Sequence, residues 1–212
     1  MGLLTQMTRP THPKMNREIL VATTNFGKLA EIRQMLGDDW RIFSLSDLGI
    51  TAEIIEDGGT FEANAAKKAR EYCALSGRMA LADDSGLCID ALNGEPGVDS
   101  AIYLGANTPY PQRFDHILTN LANVDETRRG ARFVCIMALA IPGGDIHIIR
   151  GEIVGQIAHK PAGDNGFGYD PIFYVPKFGK TMAELTNEEK NSISHRGVAL
   201  QAMRDLLIGI NS

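Results

Sequence analysis

The sequence is short of several things, and each shortage excludes a class of protein. It has three cysteines, Cys73, Cys88 and Cys135, odd in number and far apart. They match neither a zinc spacing nor a disulfide framework and read as buried, reduced thiols. Its longest apolar run, Phe133 to Ile141, is about half of what a membrane span requires. The residues through Arg17 are polar with scattered Pro and Thr and hold no apolar stretch of the secretory kind. They read as a flexible extension (1–17) ahead of a single domain (18–212). An excess of basic charge is missing too: 21 Lys and Arg against 26 Asp and Glu leave a net charge of −5. A nucleic-acid polymer needs a basic face, so it is a poor partner, whereas one nucleotide needs only a local cluster of cations. The expectation is a soluble, cytoplasmic protein with neither a membrane nor a nucleic acid as partner.

What is present is an ordinary globular composition, 44% hydrophobic and 22% charged over 212 residues. That is enough chain for one sizeable core or two small lobes sharing a sheet. Glu18 to Thr24 reads as a buried strand and Asn25 to Leu36 as a helix stopped by Gly37. Trp40 to Leu45 reads as a second strand, and Thr60 caps a helix from Phe61 to Leu75 that Gly77 ends. Arg78 to Ala82 is a third strand running into an acidic turn, and Leu87 to Leu92 a fourth. Residues 109–122 look helical, and Arg132 to Ile141 with Asp145 to Ile157 form a long hairpin around Pro142-Gly143-Gly144. Pro171 to Val175 is a short strand. Two capping boxes, Thr181 with Glu184 and Thr186 with Glu189, start helical turns, and a last helix covers Ser194 to Ile208. Helices alternate with strands at both ends and hairpins fill the middle, which predicts a mixed α/β sheet.

Five short segments could carry chemistry. Thr23-Thr24-Asn25-Phe26-Gly27-Lys28 stands where a strand meets a helix N-terminus, whose unpaired amides and dipole suit phosphate oxygens. It lacks the P-loop spacing, and alone it reads equally well as a capped helix with a surface lysine. Asp83-Asp84-Ser85-Gly86 offers two carboxylates that alternate in direction on an extended chain, so only one can face a given Mg²⁺. Its bland reading is a solvated Asx turn. Glu56, in the loop before Thr60, could add a second metal ligand, and Asn64 and Lys68 share a helix face. Gly166-Phe167-Gly168-Tyr169-Asp170-Pro171 could present a ring to a flat base, or simply pack. Lys190 with Ser194-His195-Arg196 could donate to a carbonyl or a phosphate, or cap a surface helix. Together they describe a nucleotide site with a metal.

The order of these strings, joined by Pro96-Gly97-Val98, resembles the inosine/xanthosine triphosphate pyrophosphatase family over residues 18–208. The resemblance implies an elongated mixed α/β fold with two lobes around a nucleotide cleft, and a homodimer. It implies hydrolysis of ITP, dITP and XTP to the monophosphate and diphosphate with Mg²⁺. Thr23 to Lys28 would hold the triphosphate, and Asp84 would activate water and bind metal with Glu56. Ser85 would touch substrate, while Phe167, Gly168, Tyr169, Asp170, Lys190, His195 and Arg196 would enclose the nucleoside. The chain departs from the family pattern at Ala63, at Asp99 and at Ile102-Tyr103. Competing expectations are a hydrolase of other modified nucleotides and a non-catalytic purine nucleotide-binding module.

Overall fold

The nearly continuous apolar stretch from Ile19 to Ala22 needs cover on both faces, and the fold supplies it. The computed structural model describes residues 17–210; the extension expected over 1–17 lies, Arg17 apart, outside the described residues. Strand β1 (Glu18–Val21) pairs in parallel with β2 (Arg41–Ser44) on one side and β3 (Ala80–Ile89) on the other. Beyond β3 the pairing becomes antiparallel through β4 (Gly130–Ala140), β5 (Ile146–Ile157), β6 (Phe173–Val175) and β7 (Lys180–Thr181). The result is a seven-stranded mixed sheet in the order β2-β1-β3-β4-β5-β6-β7, as the mixture of helices and hairpins predicts.

Among the described residues five α-helices flank it: α1 (Phe26–Leu36), α2 (Phe61–Ser76), α3 (Tyr110–Asn120), α4 (Asn187–Ile193) and α5 (His195–Ile210). Strand side chains alternate between faces, so odd and even positions enter different cores. Ile19, Val21 and Leu81 pack with Leu29 and Ile32 of α1 and Leu200 and Met203 of α5. Leu20, Ala22, Ala80 and Ala82 pack with Phe61, Ala65 and Ala69 of α2 on the opposite face. A third core joins Leu87, Ile89 and Phe133 to Phe114 and Ile117 of α3. Each such Leu, Ile or Phe stabilises the fold by about 1.5–3 kcal/mol. The third core sits at the far end of the β3–β4 pair from the other two, and Asp83 to Gly86 lie between them.

The helix starts follow the side chains that the sequence offers. Asn25 accepts from the Lys28 amide at 3.1 Å, Thr60 from the Ala63 amide at 3.1 Å, and Thr186 and Glu189 form the expected capping box. Two expectations are corrected. The acidic segment is no turn between two strands but the middle of the single strand β3, with Asp83, Asp84, Ser85 and Gly86 paired to Met137, Ile136, Cys135 and Val134. A strand can carry two acids through its interior here because β4 satisfies its backbone and side chains from three helices receive the carboxylates. The strand expected over Pro171 to Val175 is likewise a short 3₁₀ turn (Asp170–Ile172) followed by β6.

Candidate active site

Strand alternation sends the two acids of β3 to opposite faces of the sheet, into different surroundings. Asp83 enters the face of α1 and α5, where Lys28 lies 3.1 Å and Arg196 3.2 Å from its Oδ2. The Ser85 hydroxyl donates to the same oxygen at 3.2 Å. Burial pushes this carboxyl up, but the nearby Lys28, Arg196 and Lys68 charges prevail and hold it well below the usual carboxylate range. Asp84 enters the face of α2. Asn64 donates to its Oδ2 at 3.0 Å and the Ser85 amide to its Oδ1 at 2.9 Å, yet it makes no ion pair among the described residues. Burial raises its pKa, Lys68 opposes that rise, and the neighbouring Glu56 charge adds to it.

A second buried charge cluster adjoins the first. Arg196 reaches Glu31 of α1 at 2.6 Å, and Lys190 bridges Glu31 and Asp170, each at 2.7 Å. Three cations and three anions therefore form one chain, Lys28–Asp83–Arg196–Glu31–Lys190–Asp170. Burial alone would lower the Lys190 pKa, but Asp170 and Glu31 raise it and keep the amine charged. His195 is different. Burial and the adjacent Arg196 and Lys190 charges push its pKa well below 6.5, so the imidazole is neutral. It stacks on Phe133 with ring centroids 4.8 Å apart, and its buried Nδ1 has no hydrogen-bond partner among the described residues. An unpaired polar atom at that depth costs stability unless a ligand meets it.

These groups surround a cleft of about 390 Å³. Asn25, Lys28, Glu56, Asp84, Ser85, Phe167, Gly168, Tyr169, Asp170, Lys190, His195 and Arg196 all line it, so the five separated segments converge. Thr23, Thr24, Phe26 and Gly27 stand beside the cleft. The Thr23 hydroxyl accepts from the Asn25 amide, and the Phe26 ring is 86% exposed. The amides of Phe26 and Gly27 begin α1 without a protein partner among the described residues, which leaves them for an anion. Three of the side chains that line the cleft are also held by protein partners. Arg196 commits four of its five N–H groups to Asp83, Ser85 and Glu31. Asp170 receives the Phe167 amide and Lys190. Tyr169 is buried and donates to the Ser100 carbonyl at 2.9 Å.

Sequence reading missed Glu31, whose signal was its i+3 spacing from Lys28 on α1. It also left Lys68 and Asn64 without roles. Lys68 donates to Glu56 and to the Asp83 carbonyl, both at 2.8 Å, and Asn64 also accepts from the Gly58 amide. Among the described residues no three His, Cys, Asp or Glu side chains converge as a metal cage. Mg²⁺ asks for less, since one or two carboxylates suffice when waters and substrate phosphates complete its shell. Asp84 and Glu56 both line the cleft and would meet that requirement, with Lys68 already 2.8 Å from Glu56.

The sequence comparison agrees with this geometry: the Ham1 family model matches residues 19–206. The chain belongs to the Ham1 family. It is 48% identical to the dITP/XTP pyrophosphatase of Shouchella clausii over 193 residues, 91% of this chain and 98% of that protein. It is 44% identical to the Bacillus subtilis dITP/XTP pyrophosphatase, covering 90% of this chain and 97% of that one. Among solved structures, a HAM1 protein from Coxiella burnetii superposes with a TM-score of 0.83 at 43% identity, covering 91% and 98% of the two chains. The nucleoside-triphosphatase / dITP/XTP pyrophosphatase of Mycobacterium abscessus gives 0.71 at 44% identity, covering 88% and 98%. The Ham1 match spans every segment that contributes to the cleft.

Proposed function

We propose that the protein hydrolyses the non-standard purine nucleoside triphosphates ITP, dITP and XTP to monophosphate and diphosphate, with Mg²⁺. The observation that carries this reading is Asp84: a buried carboxylate without an ion pair among the described residues, in a cleft that Glu56, Lys68 and the start of α1 also line. Names of relatives 44% and 48% identical support the substrate class.

Asp84 is the base of this reaction. Its raised pKa makes it a better proton acceptor than an exposed carboxylate, and the Asn64 and Ser85 donors fix its orientation. Asp84 and Glu56 would hold Mg²⁺, which supplies a Lewis acid that offsets charge developing on the leaving diphosphate. Lys28 and the Phe26 and Gly27 amides bind the polyphosphate. At the other end, the neutral His195 ring lines the cleft beside Phe133, and Arg196 has one N–H that no partner among the described residues claims. Donors there suit the O6 acceptor of hypoxanthine and xanthine and leave the N6 amine of adenine opposed by another donor.

The test is to offer ITP, dITP, XTP, GTP and ATP with and without Mg²⁺ and identify the products. Diphosphate release from the first three, dependent on Mg²⁺ and much slower with ATP, is the expected result. Equal turnover of ATP and ITP, or release of single phosphates, would overturn the reading.

A further inference from the structure

Phe167 is half-buried at the wall of the cleft, and its position has a specific cause. The ring lies directly against the backbone of Gly27, in the first turn of α1. A Cβ added at position 27 would stand 2.6 Å from Phe167 Cδ1 and 2.9 Å from Cε1. No real side chain sits that close, so any residue other than glycine must displace the ring. The same ring has the Lys190 amine 4.9 Å and the Arg196 guanidinium 5.4 Å from its centroid, a pair of cations that favours its present seat. The loop carrying it is closed behind by Asp170, which accepts the Phe167 amide at 2.9 Å.

Gly27 needs no glycine for its own backbone: its φ is not among the positive ones, and alanine is the better helix former. Nor does an amide cradle for phosphate demand glycine, because alanine keeps the N–H. The contact with Phe167 is what the absent side chain serves.

We propose that Gly27 is a positioning residue for the base: it seats the Phe167 ring and so ties the phosphate end of the cleft to its nucleoside end. This rests on reading the cleft as a nucleoside triphosphate site. The phosphates lie along the start of α1, and the base stacks on a ring whose location the same helix sets. Gly27 then acts on the nucleoside through Phe167 and on the phosphates only through its unchanged amide.

The two ends can be probed separately. Gly27→Ala, Phe167→Ala and the double variant are titrated calorimetrically with IMP, which carries the base, and with inorganic tripolyphosphate, which carries only the charges. Gly27→Ala is expected to weaken IMP on the order of tenfold, the size of a lost stacking contact, and to leave tripolyphosphate binding at the wild-type value. In the Phe167→Ala background, Gly27→Ala is expected to change neither. An equal loss of tripolyphosphate affinity, an IMP effect that persists without the ring, or wild-type IMP binding by Gly27→Ala would each overturn the proposal. If the wild-type protein binds neither probe, the functional reading itself fails; if it binds both and Gly27→Ala is silent, only the ring seat fails.

Discussion

Changing each of the two neighbouring aspartates to asparagine should produce opposite phenotypes. Asp83 sits between Lys28 and Arg196, and removing one partner of a buried ion pair typically costs about 3–5 kcal/mol. With a urea m-value of about 2.5 kcal/mol/M for a domain of this size, Asp83→Asn should lower the unfolding midpoint by about 1.2–2 M. Asp84→Asn removes a charge that burial disfavours and keeps an acceptor for Asn64, so its midpoint should match or exceed the wild type while diphosphate release from ITP collapses. The pH dependence follows the same division. Asp83 has a folded pKa below its unfolded value of about 3.9, so its stabilisation is complete above that value and drains away as the medium becomes more acidic. Asp84, raised by burial, contributes in the other direction: it favours folding at low pH and loses that advantage as pH rises through its folded pKa. Urea melts of both variants, with ITP turnover measured on each, decide the matter. Equal destabilisation by the two substitutions, or a wild-type midpoint for Asp83→Asn, would refute the assignment of opposite faces to opposite roles.

Two further outcomes are expected. His195 is buried and neutral with a pKa well below 6.5, so the unfolded chain takes up a proton there first and stability should begin to fall below about pH 6.5; His195→Gln should flatten that part of a midpoint-versus-pH curve, and an unchanged slope would count against a buried neutral ring. Lys68 lowers the Asp84 pKa, so Lys68→Met should move the acidic limb of kcat/KM for ITP to higher pH; a limb that stays in place would separate Lys68 from the catalytic carboxylate.

The elements were legible wherever one local signal governed them. Asn25, Thr60 and Thr186 announce helix starts because their side chains cap amides three residues on, and Gly77 announces an end because it adopts φ 66. The course of β3 was not legible, since Asp-Asp-Ser-Gly is poor strand sequence by any local measure. It stays extended because β4, about fifty residues later, pairs with every one of those positions. The site followed the same rule. Motifs identified which segments converge, but the commitment of Arg196 to Asp83 and Glu31 arises from residues far apart in the chain, and no spacing within the His195-Arg196 segment encodes it. Likewise Tyr169 has the composition of a base-stacking residue, and only tertiary packing turns its hydroxyl to Ser100.

The buried ion chain also dictates when the protein becomes competent during its synthesis. Glu31 and Asp83 are made early, yet their shared partner Arg196 follows them by 165 and 113 residues. Until α5 emerges and docks, two acids sit in the growing core with their guanidinium missing, and His195 is absent from the wall of the cleft. A chain that ends before α5 lacks both the His195 and Arg196 walls of the cleft and the cover that Leu200 and Met203 give the sheet. Among the described residues α5 is the element that completes the site.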